Sequence, residues 1–291
     1  MSRDPIRTAV IAFVLASLLP ALAAPTARAE LTLPRVSQKA TVSQTIGLTD
    51  FTVSYSRPGV KDRKIWGGLV PWNEVWRTGA NEATTFQCSD AVTIGGKALP
   101  AGTYAIYTIP TEKEWTVIFS TAKEAWGSFE YSTAQDVLRF TAKPSAVPHQ
   151  EWMSLSFENL ATEGCDLVLR WEKVSVAVTV HVNTVEKAMA GIQEAMKALA
   201  ADDWRTPYRA AQFCFNSNVH MDEGAKWAEQ SVATKATFQN LNLLADMKMK
   251  AGQKKEAIAA AEKAIEAGKA DPDKPDTRTT EKKVTEWKSK M

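Results

Sequence analysis

Residues 174–182, VSVAVTVHV, carry a valine at every second position with a small or polar residue between. This alternation has the two-residue period of a β-strand, in which successive side chains point to opposite faces. The valines at 174, 176, 178 and 180 share one face, so we expect a strand with one buried side. Helical spacing of the apolar residues begins just after it, at Asn183. The stretch therefore predicts a β domain and also the point where that domain ends.

The residues before this strand repeat the pattern in short segments separated by turn signals. Residues 51–56, FTVSYS, alternate strictly, and Gly95-Gly96 marks a tight hairpin. Many short strands with turns between them favour a sandwich or a barrel. We therefore predict an all-β sandwich or barrel-like domain over residues 32–182. Its strands are predicted at 51–56, 84–89, 91–94, 97–99, 103–109, 115–120, 136–142, 151–157, 166–172 and 174–180.

The residues after this strand predict an all-α helical domain over residues 183–270. Apolar side chains recur there three or four positions apart. Asn183 with Glu186 has the form of a capping box, and Thr206 before Pro207 has the form of a helix start. Residues 271–291 indicate a polar linker and a short, highly charged final helix.

The predicted helices resemble tetratricopeptide repeats, which are helix pairs repeated about every 34 residues. The resemblance rests on small residues at motif positions, namely Ala245, Gly252, Ala257 and Ala264. Lys248 and Ala261 depart from the motif, because they stand where it prefers an aromatic residue. The alternative is an ordinary helical bundle. The resemblance implies a protein partner bound through residues 183–270.

Residues 1–29 have the pattern of a secretory signal peptide. Arg3 and Arg7 precede an apolar run, and Ala27-Arg28-Ala29 fits a cleavage site before Glu30. The alternative is a membrane anchor, although the run is short for a transmembrane span. We therefore expect a periplasmic or secreted protein that begins at Glu30 and has no stable membrane span after cleavage.

The charge balance argues against one class of partner. The chain has 35 basic and 33 acidic residues, and removing residues 1–29 leaves 32 of each sign. A nucleic-acid binder would need a clustered excess of Lys and Arg. We therefore expect no nucleic-acid partner.

The cysteines leave two possibilities open. The chain has three, Cys88, Cys165 and Cys214, in no disulfide framework or metal-binding spacing. Cys88 could pair with Cys165 in an oxidising compartment, or all three could be small buried residues.

Residues 71–86, PWNEVWRTGANEATTF, form the chemically densest stretch. Arg77 offers a planar fork of donors that suits a carboxylate or a phosphate. Asn81 offers a donor and an acceptor, and Glu82 would serve as an acid or base if its pKa were raised. Trp72 and Trp76, with Trp66 nearby, could stack against a sugar or a base. These residues predict a site for a small polar ligand at 66–82, with Glu82 as the candidate catalytic group.

A purely structural role is the alternative for the same residues. Arg77 could pair with Glu82, Trp76 could fill the sandwich core, and Asn81 could hydrogen-bond loop backbone groups. Elsewhere, the three histidines have no zinc-site spacing, and the glycine pairs lack the phosphate-loop pattern. We expect no metal and no cofactor.

Several segments of the β region form long and specific motifs. They are LPRVS (33–37), TVSYSRP (52–58), KIWGGLVP (64–71), VWRTGANEAT (75–84), LPAGTY (99–104), WG (126–127) and VLRWE (168–172). Through these segments the β region is similar to Domain of Unknown Function family 2911 over nearly all of residues 32–182. The family's activity is not established. The resemblance implies an exported protein, and some members carry a helical tail of this kind.

Three functional hypotheses follow from these observations, and the third is a purely structural accessory subunit whose β face is covered by another protein. The first is a non-enzymatic binding or scaffolding protein with a β-sandwich recognition module and a helical tail for a protein partner, because no catalytic spacing is evident. The second is a hydrolase or transferase that acts on a carbohydrate or cell-wall fragment. In the second, the tryptophans form the platform, and Glu82 and Arg77 are the acting groups.

Overall fold

The structure, a computed structural model, describes residues 33–290, so the predicted signal peptide lies outside the described residues. Residues 38–181 form strands and residues 184–289 form helices, which confirms the predicted change of fold class. The strands are β1 (Gln38–Ile46), β2 (Thr49–Arg57), β3 (Thr84–Cys88), β4 (Val92–Ile94), β5 (Lys97–Leu99), β6 (Gly102–Ile109), β7 (Trp115–Ser120), β8 (Asp136–Ala142), β9 (Pro144–Ala161) and β10 (Gly164–His181).

The strands form two open antiparallel sheets with a sandwich-like arrangement. One sheet has the order β1-β2-β3-β6-β7-β8, and the other has the order β5-β4-β10-β9. The main core contains alternate residues of strands from both sheets, such as Phe51 and Val53 of β2 with Leu167 and Leu169 of β10. The other face of the six-stranded sheet, which points away from this core, is called the outer face below. It carries the candidate site.

Two strand predictions were wrong in detail. β1 was missed because only Ala40, Val42 and Ile46 interrupt its polar sequence, and as an edge strand it buries little. Residues 166–172 and 174–180 form one strand, β10. Its pairing with β9 shifts register on both sides of Glu172, whose φ is +55°. A bulge leaves residues unpaired without ending the strand, so it mimics a turn in the sequence.

Of the two possibilities for the cysteines, the structure shows the second, three small buried residues. Cys88, Cys165 and Cys214 are all free and buried, so Cys88 and Cys165 do not form the bond that the sequence left open. The Cys88 thiol instead donates to the carbonyl of Pro100, at 3.5 Å. Burial raises the pKa of the Cys165 thiol to about 11, so this thiol is protonated at neutral pH.

The helical region begins two residues after Val182, close to the predicted boundary. Two predicted helix starts were wrong in their contacts. Asn183 makes no side-chain capping bond, and Asp203 rather than Thr206 accepts from the first backbone amides of the second helix. The helices are α1 (Thr184–Lys197), α2 (Arg205–Ser217), α3 (Met221–Thr234), α4 (Phe238–Lys250), α5 (Lys254–Ala270) and α6 (Arg278–Ser289).

Small residues allow these helices to pack in pairs. α2 packs on α3, and α4 packs on α5. Ala211, Ala228, Ala245 and Ala261 are fully buried in these contacts. Pairwise packing is what a helix-pair repeat predicts, and the tetratricopeptide label stays a prediction. No helix within residues 33–290 has the length and apolar character needed to cross a membrane.

Candidate functional site

The three tryptophans predicted to bind a ligand belong to a cluster of five. The ring of Trp66 lies 6.4 Å from that of Trp72 and 5.9 Å from that of Trp76. It also lies 4.9 Å from Trp115 and 5.8 Å from Trp171, both of which are fully buried. Trp76 stacks on Trp171 with centroids 5.9 Å apart. These geometries are those of favourable aromatic pairs within a core.

The position of Trp76 shows what this cluster does. Its side chain is 8% exposed, and its indole nitrogen donates to the Gly79 carbonyl at 3.0 Å. The ring therefore fixes the turn that follows it and fills the space between the sheets. Trp66 and Trp72 are partly exposed, and the structure brings them to Trp76 rather than to Arg77 or Glu82.

The turn after Trp76 is held in an unusual conformation. Thr78 has a φ of +56°, which is rare for a β-branched residue and costs about 1–3 kcal/mol. Its hydroxyl donates to that of Thr108 at 3.1 Å, and its carbonyl accepts from the Thr84 hydroxyl at 2.7 Å. Three buried threonines thus hold the strained residue. Strain of this kind concentrates at functional sites, which directs attention to the neighbouring Arg77.

Arg77 lies on the outer face of the six-stranded sheet. Trp76 and Thr108 exchange both backbone hydrogen bonds in an antiparallel bridge, at 2.8 and 2.9 Å. In such a pair the residue after Trp76 stands opposite the residue before Thr108, so Arg77 is next to Tyr107. Val75, two positions before Arg77, packs on the outer face, as alternation requires.

The Arg77 guanidinium has no hydrogen-bond or ion-pair partner among residues 33–290. Its Nε atom is buried and unpartnered, so the predicted pairing of Arg77 with Glu82 is absent. Burial lowers the pKa of the Arg77 guanidinium from its ordinary value, although an arginine of this kind keeps its charge. An unpaired, partly buried cation favours an anion as its ligand.

Tyr107 was missed by the sequence analysis, which treated residues 103–109 only as a strand. Its side chain is fully buried, yet its hydroxyl has no hydrogen-bond partner. Burial raises the pKa of the Tyr107 hydroxyl, and the nearby Glu130 carboxylate raises it further. The only signal in the sequence was a polar-tipped aromatic at an outward position of a strand, and that pattern is common in ordinary sheets.

The loop that follows β7 covers this part of the outer face. The ring of Tyr131 lies 5.2 Å from that of Tyr107. The Tyr131 hydroxyl donates to Asp136 at 2.8 Å and accepts from Arg139 at 3.1 Å. Burial and then the Asp136 carboxylate raise the pKa of Tyr131 to about 12, so the hydroxyl stays protonated as a donor. The tip of this loop carries the exposed side chains of Trp126 and Phe129.

Asn81 and Glu82 have different surroundings. Asn81 has a φ of +59°, and its amide donates to the Ser37 carbonyl at 3.1 Å, which is the structural role considered above. Glu82 forms a β-bridge with Trp126 of the covering loop. Its side chain also lines a groove of about 340 Å³, called here the outer-face groove. Other side chains that line this groove are those of Lys39, Ser54, Ser56, Thr85 and Lys123.

The structure therefore divides the predicted site. The tryptophans lie on the core side of the sheet, whereas Arg77 lies on the outer face and Glu82 lines a groove there. Within residues 33–290 no group of three or more His, Cys, Asp or Glu side chains is arranged to hold a metal ion.

Comparison with known protein families identifies one match. A family model described as a protein of unknown function, DUF2911, matches residues 37–180. Comparisons with curated proteins and with solved structures find no match.

Proposed function

We propose, on the premise that residues 37–180 belong to the DUF2911 family of proteins of unknown function, that the chain is an exported binding protein. Its β domain would hold a small, neutral, polar ligand in the outer-face groove, and its helical region would hold a protein partner. The main observation in support of this proposal is the outer-face groove.

The size and lining of the outer-face groove support a ligand with several hydroxyl groups. Its volume of about 340 Å³ lies within the range of small-molecule sites, roughly 300–1,000 Å³. Ser56 and Thr85 each offer a hydroxyl that both donates and accepts, and Ser54 adds a hydroxyl that is already paired with that of Thr41 at 3.0 Å. Lys39 and Lys123 are balanced by Glu82 and Glu124, so the lining has no excess of either charge. Such a set suits a sugar better than a strongly charged molecule.

The hydrolase or transferase hypothesis draws less support from this geometry. It requires the tryptophan rings and Glu82 to act on one substrate. Trp76 is buried in the core, where it stacks on Trp171 and meets Trp66 edge-on. Glu82 lines the outer-face groove, and none of those rings lines it. Binding without turnover is therefore the function we propose.

The helical region supports the second half of the proposal. One end of the helix pairs has a pocket of about 740 Å³, lined among others by Trp204, Lys235, Phe238 and Asp271. Aromatic residues and arginine are the types enriched at protein-binding surfaces, and the lining contains Trp204, Phe238 and Arg205. A photo-crosslinking residue at Gln239, beside this pocket, should capture a discrete protein in cells. The same residue at Lys255, the other end of α5, should not.

Thermal melting of the mature chain tests the groove directly. The ligand panel would contain neutral sugars, cell-wall fragments and nucleotides. A ligand at 100 times its dissociation constant stabilises the folded state by about 2.7 kcal/mol. Thr85→Val, which removes a groove hydroxyl, should reduce that shift. Thr116→Val is the matched control, because Thr116 lies outside the groove on β7.

Each other outcome has a defined meaning. An equal shift in Thr85→Val and in Thr116→Val would place the ligand elsewhere and contradict the proposal. Consumption of the ligand by the wild type, abolished in Glu82→Gln, would replace binding with the hydrolase or transferase hypothesis.

A further inference from the structure

Four buried side-chain polar atoms within residues 33–290 have no hydrogen-bond partner, and two of them are cross-strand neighbours. The four are Trp66 Nε1, Arg77 Nε, Tyr107 OH and Asp136 Oδ1. Arg77 follows Trp76 and Tyr107 precedes Thr108 in the antiparallel bridge between those two residues, so strand geometry makes Arg77 and Tyr107 face each other on the outer face. Native proteins leave few buried polar groups unpaired, so two neighbours of this kind call for an explanation.

The chemistry of the pair is complementary to one kind of group. Arg77 supplies a fixed positive charge and a planar set of N–H donors. The Tyr107 hydroxyl supplies a further donor. Glu130 is near enough to Tyr107 to raise the pKa of its hydroxyl, but it makes no ion pair with Arg77. Two unsatisfied donors, one of them cationic, favour an acceptor that carries a negative charge.

We propose that Arg77 and Tyr107 form a binding site for the carboxylate of a small organic acid. A carboxylate is planar and accepts two parallel hydrogen bonds from a guanidinium through Nε and a terminal nitrogen. Arg77 has that Nε atom free. The strained Thr78 holds the start of the turn, and the hydroxyl of Tyr107 meets a carboxylate oxygen beside the guanidinium. This site goes beyond the proposed groove, and Arg77 and Tyr107 are not among the groove residues.

Other residues of the outer face define the surroundings of this site. Tyr131 packs against the Tyr107 ring and is itself held by Asp136. Its hydroxyl is therefore engaged, whereas the Tyr107 hydroxyl is available. The loop that follows β7 thus closes the site on the side of Tyr131. It leaves the donors of Arg77 and Tyr107 unused. Because Tyr107 is fully buried and Tyr131 packs on its ring, the arrangement favours a small acid over a bulky one.

Proton–nitrogen NMR of the arginine Nε–H groups tests the site in the mature chain. Sodium acetate is the probe, sodium phosphate is the comparison, and sodium chloride keeps the ionic strength constant. Acetate should shift the Arg77 signal in a saturable manner, with phosphate binding more weakly. Arg77→Lys, in which this signal is absent, assigns it. The signal of Arg209, an exposed arginine on α2, is the internal control and should not saturate.

Variants separate this site from a structural role and from the groove. Tyr107→Phe should weaken acetate binding by about tenfold, or ~1.4 kcal/mol, while leaving the melting temperature unchanged or higher. Thr85→Val should leave the acetate response intact, whatever it does to groove ligands. An Arg77 signal that does not move, or that moves linearly with that of Arg209, would overturn the site. Tighter binding of phosphate than of acetate would overturn the assignment to a carboxylate.

Discussion

Trp76 and Arg77 are consecutive residues whose side chains lie on opposite faces of the six-stranded sheet. On the core face, Trp76 stacks on Trp171, contacts Trp66 and Trp115 edge-on, and donates its N–H to Gly79. On the outer face, Arg77 has a buried Nε with no partner, and so does the hydroxyl of its neighbour Tyr107. The polar group on the core face has its hydrogen-bond partner within the protein, whereas the polar groups on the outer face do not.

This difference separates two roles that the sequence presented together. Groups with all their contacts made contribute to stability, and their removal unfolds the protein. Groups with buried, unmade contacts reduce stability and persist when they serve a ligand. We therefore expect substitutions on the core face to destabilise strongly, and substitutions on the outer face to change binding with little loss of stability.

Trp76→Ala should produce the largest loss of stability. Removing a buried indole from the tryptophan cluster leaves a cavity, and such substitutions cost about 3–5 kcal/mol. Urea unfolding of residues 30–291 measures the change. Trp126→Ala is the matched control, because Trp126 is 58% exposed and its loss should change stability by less than about 0.5 kcal/mol. Equal effects would show that the aromatic cluster is not part of the stabilising core.

Gly79→Ala should destabilise by about 1–3 kcal/mol, because the close packing below the turn cannot accept a methyl group. A Cβ at residue 79 would lie 2.8 Å from the Thr84 hydroxyl and 3.2 Å from the Ser56 carbonyl. Gly191→Ala in α1 is the control. A Cβ there meets nothing within 4 Å, so helix propensity should stabilise that variant by about 0.5–1 kcal/mol. Thermal melting of the two variants should give shifts of opposite sign.

Two tyrosines allow the two faces to be compared with the same substitution. Tyr55 donates its hydroxyl to the Leu155 carbonyl at 3.3 Å on the core side, so Tyr55→Phe should cost about 1–2 kcal/mol. Tyr107→Phe removes a buried hydroxyl that has no partner, so it should leave the free energy of unfolding unchanged or higher. A loss in Tyr107→Phe as large as that in Tyr55→Phe would show that the Tyr107 hydroxyl is satisfied in solution.

The smallest expected loss of stability comes from breaking the ion pair of Arg170. Arg170 contrasts with Arg77, because Arg170 has an acidic partner. It pairs with Glu158 through both terminal nitrogens, with the second bond at 2.7 Å. Hydrogen bonds from Arg170 and then from Ser156 lower the pKa of Glu158 to about 2. A lowered pKa stabilises the fold above the ordinary value of 4.5, and that contribution is lost as the pH falls from 4.5 towards about 2.

Glu158→Gln should therefore destabilise the protein at neutral pH and not near pH 2. Both side chains are 32% exposed, so solvent screening limits the loss to ~0.5–1 kcal/mol. Urea midpoints of the wild type and the variant, measured across this pH window, should converge as the pH falls. A difference that stays constant with pH would mean that the Glu158 charge contributes nothing.

The repeated pattern in the sequence was enough to predict the fold class. Strict alternation at 174–182 and at 51–56 gave strands, and the small residues of 245–264 gave closely packed helices. β1 was not predicted, because an edge strand can carry a polar residue at nearly every position. The bulge at Glu172 was not predicted, because a turn and a shift of register interrupt the alternation of the sequence in the same way.

The candidate site could be predicted only in part. The reason is the two-residue period of a β-strand, which directs successive side chains to opposite faces of the sheet. Residue types marked the stretch as chemically dense and predicted that the Arg77 donors would suit an anion, which stays a prediction. Alternation then divides the stretch, because Trp76 and Arg77 cannot share a face. Tyr107 is 30 positions away in the sequence, and only the pairing of Trp76 with Thr108 brings it to Arg77. No local signal contains that pairing.

The sequence by itself determined the order of the two modules, the periodicity of their elements and the side chains available for chemistry. These are local properties, set by backbone geometry and by residue type. Only the tertiary structure decided which polar groups would be satisfied. Whether a buried N–H or O–H finds a partner depends on what distant segments bring to it. Trp76 has that partner within the fold, and Arg77 and Tyr107 do not.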